Sequence, residues 1–125
     1  MLRNLFRKSG KQFILLIPVV LAITVSCEKY TYTPPAVDPD YAWSLQNDIQ
    51  PIFNSSCISC HGGSVAPDLR SGKSWNSLSK GGYVNLPAEE SRLYRKMKAS
   101  DHKARSTESE KLKVLYWIKQ GANNN

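Results

Sequence analysis

Residues 54–63 read NSSCISCHGG and hold two of the chain's three cysteines and one of its two histidines. Cys57, Cys60 and His61 therefore fall within five positions. Thiols three positions apart lie on one side of a helical turn. Each can add its S–H across one of two vinyl groups on one edge of a porphyrin, forming a thioether with nothing released. His61 then points under the ring and offers Nε2 to the iron as proximal ligand. C-x-x-C-H is accordingly the attachment pattern of c-type haem. For three cysteines and two histidines scattered over 125 positions, its chance occurrence is roughly one in a thousand.

Other chemistries use the same residues. Cys57 and Cys60 can close a disulfide, and C-x-x-C is also the redox motif of thioredoxin-like proteins. That motif wants a βαβ setting, and no strand-rich pattern surrounds it here. A zinc site could draw on Cys57, Cys60 and His102, with only the crowded His61 left as fourth ligand. No Ser/His/Asp arrangement stands out, and two histidines with one assigned to iron leave little for acid–base catalysis. The reading is a haem c carrier, not an enzyme.

The elements around the motif read as mostly α. DIQPIF predicts a short helix capped by Asp48, with Pro51 tolerated in its first turn. Ile49, Ile52 and Phe53 form one apolar stripe at i, i+3 and i+4. Residues 62–87 are loop-like, with a short helix around residues 74–78. PAEESRLYRKMKAS predicts a helix opened by Pro87, acids Glu89 and Glu90 early, bases Arg95, Lys96 and Lys98 late. Leu93, Met97 and Tyr94 would face inward. The last helix is capped by Ser106 or Thr107, with Glu108 and Glu110 in its first turn. Leu112, Leu115, Tyr116 and Lys119 make one face; Val114, Trp117, Ile118 and Gly121 make another. Two apolar faces imply a helix wedged between two bodies. The closing NNN reads as a frayed end. A domain this short and loop-rich needs a staple or a cofactor.

The chain's beginning reads as an address. Residues 1–26 carry Arg3, Arg7, Lys8 and Lys11, then an apolar run from Phe13 to Val25, then Ser26 before Cys27. These are the three parts of a secretory signal. The 13-residue run is shorter than the ~20 residues that span a bilayer. ITVSC resembles the lipobox of bacterial lipoproteins, which implies cleavage before Cys27 and its acylation. Residues 27–40, with Pro34, Pro35 and Pro39, read as an extended linker, and residues 41–125 as the folded domain. Four of the 17 basic residues and none of the 10 acids lie in residues 1–26. The remainder carries 13 bases against 10 acids, a formal +3, too mild to argue for nucleic acid.

DIQPIFNSSCISCHGGSVAPDLR and ESRLYRKM…TESEKLKVLYWIKQGA resemble the small cytochrome c domains of bacterial lipoproteins, as in Bacteroidota, and planctomycete-type cytochrome c domains. The resemblance covers roughly residues 44 to 123. It implies a class I cytochrome c-like fold, in which N- and C-terminal helices cross and loops surround one haem. Ile52 and Phe53 would then meet Leu115, Tyr116 and Ile118. The Pro67 carbonyl would accept the Nδ1 proton of His61, and Leu69 would pack on the ring. The family's distal ligand is usually a methionine in a loop before the last helix. His102 occupies that loop here and is the first choice. Met97 is the second, and an open site the third.

The function implied is single-electron transfer in the cell envelope, by a lipoprotein that is membrane-anchored and faces the periplasm or cell surface, with envelope redox proteins as partners. A haem sensory or accessory module with an open distal site, and a thiol-redox protein, are the alternatives. Trp43, Trp75, Trp117, Tyr83 and Tyr94 read as core or pocket walls. The bases Arg92, Arg95, Lys96, Lys98, Lys103 and Arg105 read as a solvated face, or as a patch that steers an acidic redox partner.

Overall fold

The computed structural model describes residues 36–125. The signal-like segment 1–26, the acylation assigned to Cys27 and the first part of the linker lie outside the described residues. Among the described residues the architecture is helical, without strands, and no helix is long and apolar enough to cross a membrane.

The first helical stretch is a π-helical turn, Leu45–Ile49, that runs directly into helix α1, Gln50–Ser56. Ser44 caps it. The serine Oγ accepts from the Asn47 N–H, and the serine N–H donates to Asp48 Oδ2. Asp48 therefore sits one turn inside the helix, and the expected cap moves four residues earlier. Pro51 accounts for the wide turn. Its ring has no N–H to donate and crowds the carbonyl four residues back. The N–H groups of Ile49 and Gln50 instead reach carbonyls five residues back, Ser44 and Leu45, which opens the helix ahead of the proline. The predicted stripe of Ile49, Ile52 and Phe53 is buried.

Helix α2, Ser74–Lys80, follows the loop after the motif. One buried amide joins three parts of the chain. Gln50 Nε2 donates to the Leu69 carbonyl at 2.8 Å and to Asn54 Oδ1 at 2.9 Å, while Gln50 Oε1 accepts from Ser74 Oγ at 2.6 Å. Buried amides are tolerated when satisfied in this way.

The segment after Pro87 differs from its sequence reading. It forms a 3₁₀ turn, Ala88–Glu90, then breaks at Ser91, whose extended backbone starts helix α3, Arg92–Lys98. Ser91 Oγ accepts the Tyr94 N–H. The break puts Glu89 and Glu90 outside the helix, and Glu89 pairs with Lys119 at 2.6 Å instead. Leu93, Tyr94 and Met97 do face inward.

Helix α4, Glu108–Lys119, opens with a full capping box. Thr107 Oγ1 accepts the Glu110 N–H, and Glu110 Oε2 accepts the Thr107 N–H. Replacing Thr107 by alanine is expected to cost about 1 kcal/mol, read as a lower urea midpoint with an unchanged m-value. Val114, Leu115, Trp117 and Ile118 are all buried. They pack the helix against the Leu45–Ile49 turn, the 3₁₀ turn and α3, so its two apolar faces each find a body. Ile52, Phe53, Leu115 and Ile118 share one core, with Tyr116 against it.

The last residues are not frayed. Asn125 accepts from Ser44 Oγ and the Gln46 N–H through its carbonyl, and from the Leu45 N–H through Oδ1. The Asn123 carbonyl accepts Trp117 Nε1–H at 3.0 Å. At the other edge, Val37 packs against the core and the Asp38 carbonyl accepts Trp43 Nε1–H. The fold thus starts a few residues before Tyr41.

Candidate functional site

The motif coils out of the end of α1. The Cys57 N–H still bonds the Phe53 carbonyl, and the N–H groups of Cys60 and His61 both bond the Cys57 carbonyl, at 3.1 and 2.9 Å. Gly62 permits the exit, because a Cβ there would lie 2.8 Å from the Ile58 carbonyl oxygen. Gly63 adopts φ +111°, where side chains are strained, and a Cβ would meet the Arg70 guanidinium at 2.7 Å. The loop then returns, with the Leu69 N–H donating to the His61 carbonyl at 2.9 Å.

Arg70 clamps this return through Asp68, at 2.7 Å. The hydrogen bonds from Arg70 hold the Asp68 carboxyl down at about 2, from an ordinary 3.8. A depressed carboxyl stabilises the fold above its ordinary pKa, and that contribution disappears as pH falls through about 2.

His61 Nδ1 lies 3.3 Å from the Val65 carbonyl. With that nitrogen protonated, Val65 accepts its hydrogen and Nε2 keeps its lone pair. Pro67 was the expected acceptor. The Gly62–Gly63 turn folds the chain back so soon that the carbonyl reaching the ring belongs to Val65, and Pro67 lines the cavity beyond it.

That cavity has a volume of about 420 Å³, within the ~300–1,000 Å³ usual for small-molecule sites. Cys57, Cys60, His61, Pro67 and Leu69 reach it from the motif and its loop; Leu93, Met97 and His102 reach it from α3 and the loop that follows. Every residue assigned a role toward the cofactor from sequence therefore meets at one wall or another. None of the three tryptophans lines it, while Tyr83 does, with Arg92 stacked on its ring at 4.5 Å. Arg92, Lys96 and Arg105 bring part of the basic run to the same cavity. Among the described residues, Arg92 and Arg105 have no carboxylate partner.

The rings of His61 and His102 are 6.3 Å apart, centre to centre, with planes at 43°. An imidazole bound to a metal through one nitrogen has its ring centre roughly 3.1 Å from the ion. Two imidazoles holding one ion would have ring centres at most about twice that apart, and the observed separation is close to that limit. His102 Nδ1 is also buried without an aligned hydrogen bond among the described residues. Asp101 Oδ1 is 3.1 Å away but out of line. Asp101 is itself held down at about 2, first by Lys96 and then by His102.

Cys57 and Cys60 are free thiols. Burial, with the Glu110 charge added, pushes Cys57 up to about 11. Thiol-redox cysteines need the opposite shift, toward thiolate at neutral pH. Among the described residues, no three His, Cys, Asp or Glu side chains converge as a cage for a bare ion. Met97 is buried on α3 with its neighbours Leu93 and Tyr94, so it is as much a core residue as a pocket residue.

Two residues of this neighbourhood escaped the sequence reading. Asp101 beside His102 gave no signal, being one acid in a polar loop. Lys111, in the first half of α4, is 3% exposed, and a lysine at that position reads as solvated. No family model, curated protein or solved structure matches this chain.

Proposed function

We propose that this chain is a monohaem c-type cytochrome of class I-like fold that carries single electrons. Its leader and Cys27 fit a lipoprotein of the cell envelope, anchored to a membrane by its acyl chains. The observation that carries the reading is the pair of imidazoles, His61 and His102, 6.3 Å apart in a cavity that also receives Cys57 and Cys60.

The residues divide the work. Cys57 and Cys60 would hold the group covalently, one thioether each. His61 would ligate from the motif side, its orientation fixed by the Val65 carbonyl as metal-bound histidines generally are. Leu69, Leu93 and Pro67 supply apolar walls that exclude water. Arg92 and Arg105, without acid partners of their own, suit the carboxylates such a group carries. When bound, haem c supplies the one-electron couple of its iron, and the protein sets potential and access.

His102 is the proposed distal ligand, with Met97 behind it. A thioether in place of imidazole would raise the potential. Protein matured with its native export and haem-attachment machinery is expected to carry the haem mass covalently and to be low-spin. His102→Ala is expected to convert it largely to high-spin iron that binds CO without displacing a ligand. Unchanged low-spin bands in that variant would transfer the role to Met97. High-spin iron in the unaltered protein would favour the open-site module, and colourless protein would sink the haem reading.

A further inference from the structure

Lys111 buries a charged amine, which is costly unless its donors are used. Two of the three are used. Lys111 Nζ donates to Glu108 Oε1 at 2.6 Å and to the Lys103 carbonyl at 2.8 Å. Glu108 lies three residues back on the same helix and is largely exposed, so that pair adds little beyond its own turn. The Lys103 carbonyl is different. It belongs to the loop of residues 99–106, one position after His102.

The other hydrogen bonds of that loop are local. The N–H groups of His102 and Lys103 both bond the Ala99 carbonyl, and the Arg105 N–H bonds the His102 carbonyl. Lys96 reaches Asp101 in an exposed pair at 2.6 Å. These contacts shape the loop without tying it to α4. Among the described residues, the hydrogen bond from Lys111 is the one that does. The helix it comes from is wedged into the core, so its amine is a fixed point.

We propose that Lys111 is a positioning residue: its buried amine pins the loop backbone beside His102 and keeps that imidazole across the cavity from His61. The inference rests on the haem reading and names the device that sets how firmly the distal ligand is held. An ammonium on a long stem suits the task, because it can cross from the helix and meet a backbone carbonyl that no side-chain substitution in the loop can remove.

The test uses the full chain, exported and haem-loaded, with Lys111→Met, Lys111→Arg and Thr107→Ala. Methionine keeps much of the apolar stem and removes the donor. It is expected to retain covalent haem, to show a high-spin fraction, and to bind CO roughly tenfold faster, as loss of a hydrogen bond from a charged donor allows. Lys111→Arg keeps a donor and is expected to stay within about twofold of the parent. Thr107→Ala loosens the same helix without touching the loop carbonyl and is expected to leave spin state and CO rate unchanged. Lys111→Gln, too short to reach Lys103, carries the same expectation should the methionine variant fail to load haem. A Lys111→Met protein that stays low-spin with parental CO kinetics overturns the inference alone. So does a Thr107→Ala protein with an equal shift, since general loosening would then suffice. Parent protein lacking covalent haem overturns this inference together with the haem reading.

Discussion

Protein with Cys57 and Cys60 both replaced by alanine is expected to leave the export route without any haem that survives denaturation. Each thiol supplies one carbon–sulfur bond, so each single variant keeps one attachment and a reduced yield, while the double variant keeps none. His61, Leu69 and the cavity walls remain, and haem held by them alone is lost on unfolding. The readout is the covalent mass by intact-protein spectrometry, supported by haem staining after denaturing electrophoresis. The same variant should be less stable than the loaded protein. A group that binds only the folded state stabilises it by mass action, and its removal leaves a cavity of about 420 Å³ to be filled by water. Denaturation-resistant haem in the double variant would place the attachment elsewhere and end the proposal.

The second large effect concerns the core. Trp117 is 0% exposed, and its indole N–H donates to the Asn123 carbonyl at 3.0 Å. Truncating it to alanine removes the largest fully buried side chain among the described residues and strands that carbonyl. Deletions of this kind cost about 3–5 kcal/mol, against a total stability of about 5–15 kcal/mol for small proteins. For a domain of this size each kcal/mol is worth about 4–8 °C. Trp117→Ala is therefore expected to melt at least about 12 °C below the parent, followed by far-ultraviolet circular dichroism. Trp117→Phe keeps most of the apolar area and loses only the donor, so it should fall between them. An alanine variant that melts within about 3 °C of the parent would mean that the last helix does not carry the core.

How much of this was readable beforehand depended on how local each signal was. The capping box at Thr107 and Glu110 and the stripe of Ile49, Ile52 and Phe53 rest on spacings of three and four residues. The stripe appears in the structure as read, and of the two caps offered, Ser106 or Thr107, the structure uses Thr107 and adds the reciprocal bond to Glu110. The spacing of Cys57, Cys60 and His61 is just as local, all three lying within five positions. The misplaced start of α3 has another cause. Pro87 and two acids fit a helix start, yet Ser91 offers a better cap four residues later, and Lys119 draws Glu89 away across the fold. The π-helical turn before Pro51 came from a clash whose relief can take more than one form. Val65 replaced Pro67 because loop curvature, set by Gly62 and Gly63, is not written in any periodicity. Asn125 was invisible for the same reason as Gln50: each is a polar residue whose partner lies far away in sequence. Lys111 was invisible because its loop partner is a backbone carbonyl, which carries no residue-type signal.

The bridges that hold the two ends of the fold together also impose a timetable. Trp43 reaches Gln120 across 77 positions and Ser44 reaches Asn125 across 81. Contacts this distant in sequence form late, since loop closure must come first. In a polypeptide delivered from its N-terminus, Cys57 and Cys60 emerge long before the tail that shuts the domain. Under the haem reading, the sulfurs meet their porphyrin on an open strand accessible to the attaching enzymes, and the walls assemble around it afterwards.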